Sequence, residues 1–180
     1  MLDTIKTLFV NQFEATLSML KAAVDQCPDT AWDAPVANHR FSQVVFHTLY
    51  FTDLYLGHED EATFRRQPFH RQLAPLFGDL PADLEPLEDP TPRSYDRASL
   101  LTYLEFCRRK VSEIMASETE ETLSGPEIFG REFSRAELHV YNIRHIHHHA
   151  AQLSLRRRLD GGQGVEWVGS GWHEAAFAAP

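Results

Sequence analysis

Lysine is scarce in this chain. Of 17 basic residues among 180, only Lys6, Lys21 and Lys110 are lysines, and 26 acidic residues bring the formal charge to −9. A chain this acidic lacks the electrostatic footprint that binds a phosphate backbone, so no nucleic-acid partner is expected. Cysteine is nearly absent as well. Cys27 and Cys107 stand far apart with no CxxC, which excludes a disulfide framework and a thiolate zinc site and leaves two buried free thiols. No apolar run approaches the roughly 18 residues of a membrane span. The opening MLDTIKTLFVNQF carries Asp3 and Lys6 where a signal peptide needs an apolar centre, so the expected location is cytoplasmic, with no membrane partner. Also missing are internal repeats, low-complexity tracts, GxSxG, P-loop and GxGxxG motifs, and a paired Cys–His nucleophile.

What is present is helical periodicity, in four stretches. The first runs from Leu2 to Gln26 with Leu2, Ile5, Phe9, Phe13, Leu17, Leu20 and Val24 on one stripe, and Cys27-Pro28-Asp29 stops it. The second covers Phe41 to Gly57. The third begins at Asp96 as an N-cap and runs to Ser117, burying Leu100, Leu104, Cys107, Val111 and Ile114. The fourth opens at Ser134 with the S-x-x-E form of a capping box and closes at Gly161-Gly162, its last turns carrying Arg156, Arg157 and Arg158. Strand signals are almost absent. A loop with Trp32 and Pro35 joins the first two helices. The connection from His58 to Pro92 holds six of the ten prolines, and a short helical turn is expected at 72–77. The pattern predicts an all-α four-helix bundle over residues 1–162 with long connections and a short tail, 163–180. Exposed apolar positions such as Leu49 and Leu56 read as a surface for a homodimer.

Ten histidines are the anomaly, five of them between 139 and 149. On a wheel of the fourth helix with His145 at 0°, Leu138 falls near about 20°, His149 near about 40° and Asn142 near about 60°. His145 and His149 therefore stand one turn apart on the inward face, the i, i+4 spacing with which two imidazoles reach one ion. His147 points to solvent, His148 lies on the margin, and His139 reads as partly buried. His47, among Val44, Phe51, Leu54 and Tyr55 on the second helix, also points inward. His58 shares that face but lies roughly 16 Å further along the axis. His39, His70 and His173 fall in loops. A lone core histidine is ordinarily a hydrogen-bonded structural residue. Three inward imidazoles without partners would cost several kcal/mol, a cost that a shared metal ion removes.

Two segments carry a likeness. Val44-Val45-Phe46-His47-Thr48-Leu49 and His145-Ile146-His147-His148-His149-Ala150-Ala151-Gln152-Leu153, which has the form HxxHHxxQL, resemble the DinB/YfiT superfamily of metal-binding four-helix bundles over most of residues 1–160. Gly164-Val165-Glu166-Trp167-Val168-Gly169 resembles the family's C-terminal stretch. The resemblance implies His47, His145 and His149 as metal ligands, with His148 the non-ligand of the doublet. The chain departs from it at Ala150, where a polar residue is common, and in the proline-rich connection. Three neutral imidazoles suit a divalent ion, zinc or nickel foremost, with an open position for water or substrate. Water on such an ion, with its pKa brought towards about 7, would allow hydrolysis, and the resemblance to relatives that use low-molecular-weight thiols implies thiol-dependent transfer, so the enzyme reading is a thiol S-transferase or a hydrolase of small molecules. A non-catalytic metal-binding role in stress response is the alternative. Asn142 and Gln152 are placed to orient ligands or, equally, to bond between helices. Tyr55 and Tyr103 read as core, and neither Asp53 nor Glu137 approaches the histidines as a general base.

Overall fold

The computed structural model describes residues 1–37, 39–65 and 95–174. Four long helices form the body: α1 (Leu2–Gln26), α2 (Phe41–Leu56), α4 (Arg97–Ser117) and α6 (Arg135–Leu159). Between them lie a 3₁₀ turn (Asp29–Ala31), a hairpin of β1 (Pro35–Val36) and β2 (His39–Arg40), and the short helices α3 (Glu61–Arg65) and α5 (Glu120–Ser124). The hairpin, pairing Pro35 with Arg40 and Val36 with His39, was not legible in the periodicity. The expected helical turn at 72–77 and His70 lie outside the described residues.

The caps explain where the helices begin and end. Asp96 accepts from the Ser99 amide at the start of α4, and Ser134 accepts from the Glu137 amide at the start of α6. At the far end of α6, Gly161 takes φ +81°, the left-handed turn that favours glycine, and its amide and that of Gly162 return to the Arg158 and Arg157 carbonyls.

α1 packs against α6 and α4, and α2 packs against the same two, so α1 and α2 are diagonal across the bundle. Side-chain bonds give the directions. Lys6 reaches the Ala116 carbonyl and Arg108 meets Glu14, so α1 and α4 are antiparallel. Cys107 bonds to the Leu49 carbonyl and Lys110 to the Asp53 carbonyl, so α2 and α4 are parallel neighbours. α2 and α6 are antiparallel, since Asn142 donates to the Thr52 carbonyl and Arg135 to those of Tyr55, Leu56 and Gly57. The four therefore run up, down, down, up. Two parallel neighbours can be joined only by a chain that returns the length of a helix, about 24 Å for sixteen residues. That geometry is the physical reason for the long connection between α2 and α4.

α2 is the central element. Every one of its residues is buried except His47 and Phe51, which are half-buried and one turn apart. Leu49 and Leu56 are fully buried at 0% exposure, so the homodimer surface expected there is not one. A helix apolar on most of its circumference is read from sequence as having a free side, but here α4, α6, the hairpin and Phe64 of α3 cover it. No helix among the described residues is long and apolar enough to cross a membrane. Both cysteines are buried and free.

Residues 163–174 run back over the bundle. The Val165 amide bonds to Ser154, the Gly171 amide to the Asn11 carbonyl and the His173 amide to Ser18, while Arg108 lies 3.9 Å over the Trp172 ring.

One buried charge cluster ties the ends together. The Arg135 guanidinium donates to the last three carbonyls around the α2 terminus, at 2.6–2.8 Å, and to Glu118 at 3.0 Å. Glu118 also receives Thr122 at 2.5 Å and His139 at 3.1 Å. Burial alone would raise the Glu118 pKa, but the bonds from His139, Thr122 and Arg135 hold it at about 2. Removing the guanidinium strands a buried carboxylate and three carbonyls. Arg135→Met is expected to destabilise the fold by about 3–5 kcal/mol in urea denaturation, with part of the loss recovered when Glu118→Leu is added.

Candidate metal centre

α2 and α6 bring the three expected histidines together. His47 Nε2 and His145 Nε2 lie 3.3 Å apart, and one nitrogen from each of His47, His145 and His149 lies within 4.8 Å of the others. The ring centroids are 5.3 Å (His47 to His145), 4.9 Å (His47 to His149) and 4.6 Å (His145 to His149) apart. Two nitrogens at 2.0–2.1 Å from a tetrahedral ion are separated by about 3.3 Å. The first pair already has that spacing, and the third nitrogen lies within 4.8 Å of both. The group can hold a metal ion.

The electrostatics fit a neutral donor set. Burial, then the neighbouring histidines, lowers the His145 pKa to about 3, and burial followed by His47 lowers that of His149 to about 4. Both rings keep a nitrogen lone pair at neutral pH. The tautomers are constrained too. His149 Nδ1 donates to Gln152 Oε1 at 2.9 Å, which leaves Nε2 bare, and the Gln152 amide nitrogen contacts His148 Nε2 at 3.0 Å. His148, which the wheel puts on the margin, thus orients the amide that orients His149. Gln152 takes the orienting role read from sequence, while Asn142 makes the interhelical bond instead. His145 Nδ1 is buried without a partner among the described residues.

The remaining histidines go elsewhere. His139, expected partly buried, is completely buried, its ring 5.3 Å from Phe9 and its Nε2 on Glu118. The wheel gives a direction but not the packing depth that α1 imposes. His147 is half-buried rather than solvent-facing, its ring edge-on to Trp167 of the returning tail with the centroids 5.1 Å apart. His58 is exposed at 3.5 Å from Glu118, far from the triad. His39 is half-buried in β2, and His173 is exposed. Asp53 stays away from the histidines, as read, yet is fully buried, accepting from Tyr103 and Lys110. Tyr103 is core. Tyr55, also buried, packs 6.4 Å from His145 and accepts from Arg131.

A cavity of about 660 Å³ opens beside His145, lined among the described residues by Tyr141, Arg144, His145, His147, His148, Ala151, Gln152 and Leu155. Sequence reasoning missed it because its wall is the outer face of α6, which reads as solvent.

The family model of the DinB superfamily matches residues 12–153, and the chain belongs to that superfamily. No curated protein and no solved structure matches it.

Acid sensitivity follows from the depressed histidines. Their folded pKa values lie below the unfolded value of about 6.5, so their contribution is complete above that pH and is lost as pH falls towards 4 and 3. In metal-free protein, denaturant titrations between pH 6.5 and 4.5, above the ordinary carboxylate range, should show stability falling with uptake of protons on unfolding. His145→Phe should reduce that slope by about one proton.

Proposed function

We propose that this member of the DinB superfamily binds one divalent ion through His47, His145 and His149 and uses it to transform a small molecule, as a thiol S-transferase or a hydrolase. The observation that carries the reading is the triad with a cavity opening beside its His145: three imidazoles that can meet at one ion, and a space of substrate size next to one of them. Nitrogen donors of this kind suit zinc or nickel. A three-histidine site leaves a coordination position open, and an ion there supplies Lewis-acid chemistry, holding a thiol as thiolate or bringing the pKa of bound water towards about 7.

The chain's own residues divide the remaining work. Gln152 and His148 hold His149 in the tautomer that presents Nε2. Phe51 and Tyr55 pack at 5.8 and 6.4 Å against the His145 ring and keep that side of the site dry. Tyr141, Ala151 and Leu155 offer apolar surface to the substrate along the cavity. The cavity is also what favours turnover over a storage or stress-response role without catalysis, which needs no space beside the ion.

Elemental analysis of untagged protein tests the reading. About one zinc or nickel per chain is expected, lost in His47→Ala, His145→Ala and His149→Ala and kept in His147→Ala. Gln152→Leu should retain the fold and weaken affinity by about 10–100-fold in a chelator competition. No metal in the wild type after zinc or nickel loading would make the histidines structural and remove the enzyme reading.

A further inference from the structure

We infer that the substrate carries an anionic group, a carboxylate, and that Arg144 binds it while the other end of the molecule reaches the histidine centre. The inference deepens the metal-centre reading and rests on it. Arg144 lines the cavity one residue before His145. Among the described lining residues there is no aspartate or glutamate. Three other guanidiniums of α6 and the segment before it are committed. Arg135 is buried on the α2 carbonyls, and Arg156 is paired with Asp160 at 2.7 Å. Arg131 bonds to Tyr55 and Glu127 and sits 4.9 Å over the Tyr55 ring. Arg144 has no hydrogen-bond or ion-pair partner among the described residues.

A free guanidinium on a chain of charge −9 is the local exception to the overall sign. Its planar fork matches one carboxylate bidentately. A single such fork, with no helix N-terminus beside it, suits a carboxylate better than a phosphate, which draws more donors. The same lining also offers apolar surface at Tyr141, Ala151 and Leu155. The complementary ligand is therefore bifunctional: a carboxylate at one end, a short hydrocarbon stretch, and a thiol or other metal-seeking group at the other.

Protein loaded with cobalt(II) as a visible reporter allows the test. Straight-chain mercaptocarboxylates of two to five carbons are titrated beside mercaptoalcohols of the same lengths. The best acid should bind about tenfold more tightly than its alcohol, a preference that weakens with added salt. Arg144→Gln should abolish the preference while leaving cobalt content and alcohol affinity unchanged. Equal binding of acids and alcohols by the wild type, or a preference that survives Arg144→Gln, overturns the inference alone. Failure of the wild type to hold cobalt, or of every thiol to perturb its spectrum, overturns the metal-centre reading and the inference with it.

Discussion

The bond set between Arg135 and the end of α2 governs the geometry of everything else. Three carbonyls left over at the helix terminus and one buried carboxylate converge on a single guanidinium, each needing a donor because water is excluded. The contact fixes the axial register of α2 against α6. Asn142 on the Thr52 carbonyl forms the next rung, and His145 against His47 the one after. A slide by one helical turn would break the first two rungs and carry His47 about 5 Å away from its partners. The histidine centre is thus positioned by polar contacts well outside it.

The second buried charge pair serves the other interface of α2. Asp53, at 0% exposure, accepts from Lys110 at 2.5 Å and from Tyr103 at 3.0 Å, while Lys110 also caps the Asp53 carbonyl. Breaking either pair would leave a charge in a low-dielectric interior, so both interfaces of α2 tolerate little variation in alignment. With both faces pinned, the helix has one place left to open. That place is the His47–Phe51 edge, and it is where His47 meets the imidazoles of α6.

The site itself combines two opposed demands. Burial drives the imidazoles of His145 and His149 neutral, the form that can ligate an ion, yet a cavity stays open beside His145. His148 and Gln152 reconcile the two on the open side, where a half-exposed His149 would otherwise be free to rotate or to change tautomer. The HxxHHxxQL form thereby acquires a physical meaning. Its first and third histidines face the centre, and its second histidine and its glutamine hold the third in place.

Local chemistry determined the four long helices, their caps at Asp96 and Ser134, the glycine stop at Gly161, and the phase that turned His47, His145 and His149 inward. Such features depend on spacing along one helix and on groups a few residues apart, so the chain carries them without knowing its neighbours. The structure alone decided how deep each side chain lies. It buried Leu49, Leu56 and His139 completely and placed Trp167 against His147. It also joined Arg135 to carbonyls nearly eighty residues away and left Arg144 uncommitted beside a cavity on what reads as a solvent face. Depth, long-range pairing and concavity arise from which helices pack together and in which direction. The up-down-down-up order that sets them is a property of the whole assembly, absent from the periodicity of any one helix.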